Sequence, residues 1–131
     1  MDISVFVILY LLFSHWVADF LFQTTHMGTY KSKSNKVLLL HTATYTLVMF
    51  LVLGVGGHLC NAEFITVRFL WFFPISFVAH TVQDYVTSRL TSMQFAANKY
   101  NGIDGAFTII GIDQFLHYCQ IFLTYLFLTQ F

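Results

Sequence analysis

The sequence predicts an all-α integral membrane protein, a bundle of four helices, and three observations lead to that fold class. Hydrophobic residues make up 57% of the 131 residues and charged residues only 9%, whereas soluble domains carry about 25% charged residues. The chain also contains 16 Phe and 7 Tyr, too many apolar rings for a surface that faces water. Four apolar segments each have about the 20 residues that a helix needs to cross the hydrocarbon core.

The four predicted spans follow one another in a single domain that covers residues 1–131. Their approximate bounds are 3–24, 37–56, 64–89 and 105–129. The first span lacks the basic start and the small-residue cleavage site of a signal peptide, so we expect it to remain in the membrane. Pro74 lies inside the third span and predicts a kink there, because proline removes a backbone hydrogen bond from a helix interior.

The lysines and arginines predict which way the bundle faces. Lys31, Lys33 and Lys36 lie between the first two spans, and Arg89 and Lys99 flank the loop between the last two. The loop between the second and third spans contains no basic residue. Because short basic loops stay in the cytoplasm, we expect the first and third loops there and both termini on the outer side.

Each span also carries polar residues at helical spacing, in the stretches HWVADFLFQ (15–23), LLLHTATY (38–45), AHTVQDY (79–85) and GIDQFLHY (111–118). Side chains four residues apart lie on one face of a helix. A charged side chain near the bilayer centre costs at least about 2.5–3.5 kcal/mol, so it normally faces a protein interior. We therefore expect one polar cavity, open toward the cytoplasm, formed by His15, Asp19, His41, His80, Asp84, Asp113 and His117.

Imidazole and carboxylate groups together favour a divalent metal, zinc in the first place and manganese or iron as alternatives. All seven residues are candidate ligands, enough for one or two ions, and the three aspartates are also candidate catalytic groups. We expect three further side chains to orient a ligand or the substrate by hydrogen bonds, namely Gln23, Tyr45 and Gln114. Four basic residues are candidates to contact an anionic head group, namely Lys31, Lys33, Lys36 and Arg89.

Two other interpretations of the polar residues stay open at this point. Polar side chains join membrane helices through hydrogen bonds worth about 0.6–2 kcal/mol each, without any catalytic role. Chains of histidine and aspartate also carry protons through membrane proteins.

The four stretches together resemble the domain of unknown function 3307, an uncharacterised membrane family of bacteria and their phages. That family shows HxxxDFxxQ in the first helix, a histidine opening the second, HxxxD in the third and DQxxH in the fourth, and all four occur here in order. It often has a lysine within a turn of the third motif, where this chain has Arg89 further on. More distantly, the chain is similar to the membrane-bound metal-dependent hydrolases of bacteria.

The resemblance implies a shared site at the seven residues and a multi-pass protein of the bacterial inner membrane. We expect a metal-dependent hydrolase whose site lies in the cytoplasmic half of the bilayer and acts on a lipid or lipid-linked phosphate. The alternative is a non-enzymatic bacterial or phage protein with a structural or proton-conducting core that binds another membrane protein. Membrane lipid, a second copy of the chain and another membrane protein are the expected partners, and nucleic acid is not.

Overall fold

The computed structural model describes residues 4–56, 58 and 67–130, and every regular element within those ranges is a helix. The prediction of an all-α chain is confirmed. The long helices are α1, Val5–Trp16, α3, Asn35–Met49, α4, Phe72–Ala96, and α5, Ala106–Gln130. A short helix α2, Thr25–Tyr30, connects α1 to α3. Two π-helical stretches, Val17–Leu21 and Phe50–Gly56, continue α1 and α3, and a 3₁₀ turn, Phe69–Trp71, precedes α4.

The sequence contains the signals that start the first two helices. The hydroxyl of Ser4 accepts a hydrogen bond from the backbone N–H of Val7 at 3.3 Å, and Thr24 Oγ1 accepts one from the N–H of Met27 at 3.2 Å. Serine and threonine are favoured in this position because their oxygens satisfy N–H groups that have no partner within the helix. The second of these caps starts α2, inside a segment that the sequence predicts only as a loop.

Pro74 does not lie where the sequence predicts a kink. It is the third residue of α4, in the first turn, because the α-helix begins at Phe72. A residue in the first turn has no acceptor for its N–H within the helix, so proline costs little there. The helix also continues past the predicted end of the span, from residue 89 to Ala96. The start predicted at residue 64 lies outside the described residues.

Two of the described helical segments are long and apolar enough to cross a membrane, Asn35–Gly56 and Ala106–Thr129. The helical segment Val5–Leu21 is apolar but shorter. Helix α4 has the length, 25 residues, but its many polar residues keep it out of this set.

The four long helices pack side by side around two interior zones. Helix α4 lies against both α3 and α5, and α1 contacts α3 and α5 on the other side. One zone is apolar, with Leu11, Met49, Leu53, Phe72 and Ile121 buried together. The other zone, toward α2, contains the predicted polar residues, as described below.

The bundle exposes apolar side chains on its outer surface and buries polar side chains in part of its interior. His15, His80 and His117 have exposed fractions of 0%, whereas Phe115 and Leu123 on α5 are 65% and 66% exposed. Many other large apolar side chains on α1, α3 and α4 are exposed in the same way. Asp19 and Asp84 are buried as well, with exposed fractions of 4% and 1%, and charged side chains are almost never fully buried in water-soluble proteins unless they are paired.

The loop between α4 and α5 has its own local order. Asn98 and Gly102 take positive φ angles of 56° and 93°, which end α4 and turn the chain. Lys99 Nζ donates to Asp104 Oδ2 at 3.0 Å, and this hydrogen bond to the lysine lowers the pKa of the exposed Asp104 carboxyl.

Candidate metal centre

All seven predicted ionisable residues meet in the polar zone of the bundle. Helix α1 carries His15, and Asp19 follows one turn later in the π-helical stretch Val17–Leu21. Such π-helical turns occur frequently at functional sites. Helix α3 contributes His41, and α4 and α5 contribute the pairs His80 with Asp84 and Asp113 with His117. Each pair is four residues apart, so both members face the interior.

Four of these residues, from three different long segments, form the first group. One ligand atom from each of Asp19, His41, His80 and Asp84 lies within 4.8 Å of all the others, and all four residues are buried. His41 Nε2 lies 3.1 Å from Asp19 Oδ1 and 3.1 Å from Asp84 Oδ2. His80 Nε2 lies 3.2 Å from His41 Nε2, 3.6 Å from Asp84 Oδ2 and 3.7 Å from Asp19 Oδ1.

These distances match the edges of a metal coordination shell. Ligand atoms about 2.0–2.1 Å from a zinc ion in tetrahedral geometry lie roughly 3.3 Å from one another. Two imidazole nitrogens at 3.2 Å need either a shared proton or a cation between them. Asp19 Oδ1 has no aligned hydrogen bond within the described part of the chain, although His41 lies close to it. The four atoms are therefore close enough together to hold one metal ion.

Three residues form a second group that shares Asp84 with the first. It consists of Asp84, Asp113 and His117. His117 Nε2 lies 3.5 Å from Asp84 Oδ1, and His117 Nδ1 lies 3.5 Å from Asp113 Oδ1. Thr87 Oγ1 donates to Asp113 Oδ1 at 2.5 Å, and Gln114 Nε2 donates to Asp113 Oδ2 at 3.1 Å.

His15 lies beside both groups and belongs to neither. Its Nε2 faces Gln114 Oε1 at 3.0 Å and its Nδ1 faces the Tyr45 hydroxyl at 3.0 Å. Because a carbonyl oxygen only accepts, Nε2 carries the proton and Nδ1 accepts from Tyr45. His15 Nε2 is 3.7 Å from Asp19 Oδ2. The structure therefore brings His15, Tyr45 and Gln114 together, and metal ligation by His15 stays a prediction from sequence.

Lys31 reaches the cluster from the segment between α2 and α3. Its Nζ donates to Asp84 Oδ2 at 2.7 Å and lies 3.4 Å from His41 Nε2. The sequence predicted this lysine only as a candidate contact for an anionic head group, since a loop residue has no periodicity that would reveal its direction.

The other basic candidates lie away from the cluster. Arg89 donates to Asn35 Oδ1 at 2.7 Å and stacks on the ring of Tyr85 at 3.7 Å. Lys33 lies 5.6 Å from the ring of Tyr30, and Lys36 is exposed.

A partly open cavity of about 390 Å³ lies beside the two groups. Its lining contains Asp19, Asp84 and Asp113, together with Lys31 and Gln23. Hydroxyl groups cover much of the remaining polar wall, contributed by Thr29, Ser32, Thr87, Ser88, Thr91 and Ser92. The apolar part of the wall includes Phe20, Phe95 and Ile110. The arrangement offers space for a polar group next to the carboxylates and an apolar wall for an attached chain.

Sequence reasoning missed Thr87 and the inward direction of Lys31. A signal for Thr87 exists, because residues 80, 84 and 87 follow the i, i+4, i+7 pattern of a single helix face. A threonine on a membrane helix is so common that the pattern alone does not single it out.

No curated protein and no solved structure matches the chain. Residues 7–131 match the family described as Protein of unknown function (DUF3307), and this range contains every residue of both groups and of the cavity. None of these comparisons matches the chain to the membrane-bound metal-dependent hydrolases. Because the match extends over nearly the whole chain, this helical protein with its buried histidine and aspartate cluster belongs to the DUF3307 family.

Proposed function

We propose that the protein is a metal-dependent hydrolase of the bacterial inner membrane that acts on a lipid phosphate or a lipid-linked phosphate. The observation that carries the proposal is that two imidazoles and two carboxylates from three helical segments lie together in one buried group. The cavity beside that point supplies room for a substrate.

The membrane location is supported by the distribution of polar and apolar side chains. The bundle buries three aspartates and four histidines wholly or largely and exposes phenylalanine, leucine and valine over its outer surface. Exposed apolar area of this extent needs an apolar environment, and ionisable residues within a bilayer face the interior and serve function. Helix α4 would then cross as the third span, its polar face turned toward α3 and α5.

The metal is supported by the chemistry of the donor set. Two imidazole nitrogens and two carboxylate oxygens are a ligand set typical of zinc, with manganese and iron as alternatives. A divalent metal lowers the pKa of bound water and polarises a phosphoryl oxygen. The residues of the chain would fix the ion, and the hydrogen bonds from Thr87 and Gln114 would hold Asp113 in place beside it.

The phosphate substrate is supported by the lining of the cavity. Lys31 provides a cation at its inner end, and hydroxyl donors surround the space next to it. Lysine and hydroxyl groups bind phosphate oxygens, whereas Phe20 and Phe95 suit an apolar tail. Hydrolysis at this site would add one water across a phosphorus–oxygen bond and release a phosphate and an alcohol.

The test combines metal content with activity on the purified full chain in detergent. We expect at least one divalent ion per chain and release of phosphate from phosphatidic acid or a polyprenyl phosphate. His41→Ala should remove the metal and the activity together. Thr44→Ala, a half-buried position on the same helix whose hydroxyl bonds to the Leu40 carbonyl, should change neither. Lys31→Met should retain the metal and raise KM for the anionic substrate.

A structural or proton-conducting core is the competing function, and one observation favours it. Lys31 and Asp84 pair directly at 2.7 Å, so part of the buried negative charge is compensated without a metal. In that case the purified chain contains no stoichiometric metal, chelation changes nothing, and His41→Ala only lowers the melting temperature. This result would overturn the hydrolase proposal.

A further inference from the structure

We infer that the chain binds a second divalent cation between Asp84, Asp113 and His117, and that Asp84 bridges this ion to the one held by Asp19, His41 and His80. The inference rests on the metal of the proposed function and adds the number of ions and the bridging residue. His117 is fully buried, with an exposed fraction of 0%.

The protonation pattern of His117 follows from its backbone contact. Its Nδ1 lies 2.7 Å from the carbonyl oxygen of Asp113. A carbonyl oxygen has no proton to give, so Nδ1 must be the donor. In the neutral ring Nε2 then carries a lone pair. A hydrogen bond from one ring nitrogen to a backbone carbonyl is the usual arrangement when the other nitrogen binds a metal.

A cation between His117 Nε2 and Asp84 would satisfy the lone pair of that nitrogen. Within the described residues Nε2 has no hydrogen-bond partner, and Asp84 Oδ1 lies 3.5 Å away from it. Two buried acceptors that face each other repel, and a buried ring nitrogen without a partner is destabilising. A metal ion between them removes this cost. A proton on Nε2 is the other cation that fits, and the experiment below separates the two.

Asp113 supplies the third ligand and is held in position by its neighbours. Thr87 and Gln114 donate to its two oxygens, one each, and its carboxylate lies along the cavity wall. Hydrogen bonds from the surroundings orient ligating carboxylates, and losing one typically costs 10–100-fold in metal affinity. Asp113 is therefore arranged as a ligand and keeps lone pairs free for an ion.

Asp84 connects the two groups through its two oxygens. Oδ2 lies 3.1 Å from His41 Nε2 in the first group, whereas Oδ1 lies 3.5 Å from His117 Nε2 in the second. One oxygen on each side is the arrangement of a bridging carboxylate. Two-metal hydrolytic centres hold their ions about 3.5–4 Å apart, a separation that one carboxylate bridges. The lysine bond to Oδ2 leaves a further lone pair on that oxygen.

The experiment uses the purified full chain, stripped with a chelator and reloaded with Mn²⁺ alone. We expect two Mn²⁺ per chain and an electron paramagnetic resonance spectrum with the exchange coupling of two bridged ions. His117→Gln should bind one Mn²⁺ and give the uncoupled spectrum of a single ion. Gln120→Ala should keep two coupled ions, because Gln120 lies on the same helix and bonds to Ser76 but belongs to neither group and does not line the cavity.

A more conservative variant tests the second site in case His117→Gln does not fold. Thr87→Val removes a hydroxyl that bonds to Asp113 Oδ1 and to the Gln83 carbonyl of its own helix. It should weaken the second Mn²⁺ about 10–100-fold while the first remains bound. One Mn²⁺ in the unaltered chain, unchanged by His117→Gln, would overturn the second site and leave the proposed hydrolase standing. No bound Mn²⁺ at all would overturn both, and a protonated His117 would then account for the geometry.

Discussion

At the scale of single residues, His15 is the position where the sequence and the geometry lead to different expectations about metal binding. By sequence it is the first member of HxxxD and a candidate metal ligand like His80. In the structure both of its nitrogens are engaged, Nε2 toward Gln114 and Nδ1 toward Tyr45. A nitrogen that carries a proton and donates it cannot bind a metal at the same time. The same spacing on two helices thus gives two different environments.

We therefore expect His15→Ala to keep its metal and to lose stability. The substitution leaves the Tyr45 hydroxyl and the Gln114 carbonyl without their partner, which costs about 1–3 kcal/mol per buried group. Metal content and the thermal midpoint of one preparation measure both effects. Ser14→Ala, which removes only a hydrogen bond to the carbonyl of Tyr10, serves as the neighbouring control. Metal loss equal to that of His41→Ala would instead make His15 a ligand.

At the scale of elements, periodicity predicted the helices and the register of their polar faces but not their ends. Residues four apart must share a face, so His80 and Asp84 point the same way wherever the helix begins. Helix ends depend on capping contacts, and α2 arises from a cap at Thr24 within a short polar segment. The direction of Lys31 depends in turn on α2. These features need tertiary contacts that no spacing in the sequence encodes.

The position of Pro74 gives a prediction about α4. Because it lies in the first turn, Pro74→Ala should change the free energy of unfolding by no more than about 0.5 kcal/mol. A proline one turn further on, Val78→Pro, should cost about 3 kcal/mol or more, since it removes a backbone hydrogen bond within the helix. Thermal midpoints of the two variants in the same detergent compare these costs. A large loss in Pro74→Ala would show that the proline has a structural role beyond the helix start.

At the scale of the whole molecule, the apolar exterior and the buried cluster belong to one arrangement. In a membrane bundle, ionisable groups are kept off the surface that faces lipid and lie in the interior, where they need partners or a metal. The cavity lies at the end of the bundle near α2 and the first loop, which carries Lys31, Lys33 and Lys36. If basic loops face the cytoplasm, the site opens on that side.

This orientation can be measured with thiol labelling in intact bacterial cells. In a chain with Cys119→Ser, the native Cys60 in the second loop, outside the described residues, should react with a membrane-impermeant reagent. With Cys60→Ser added, His26→Cys and Asn101→Cys place single thiols at exposed positions on the predicted cytoplasmic side. Both should stay unlabelled until the cells are permeabilised, because the membrane separates them from the reagent. Labelling of His26→Cys in intact cells with protection of Cys60 would invert the bundle and open the cavity to the outer side.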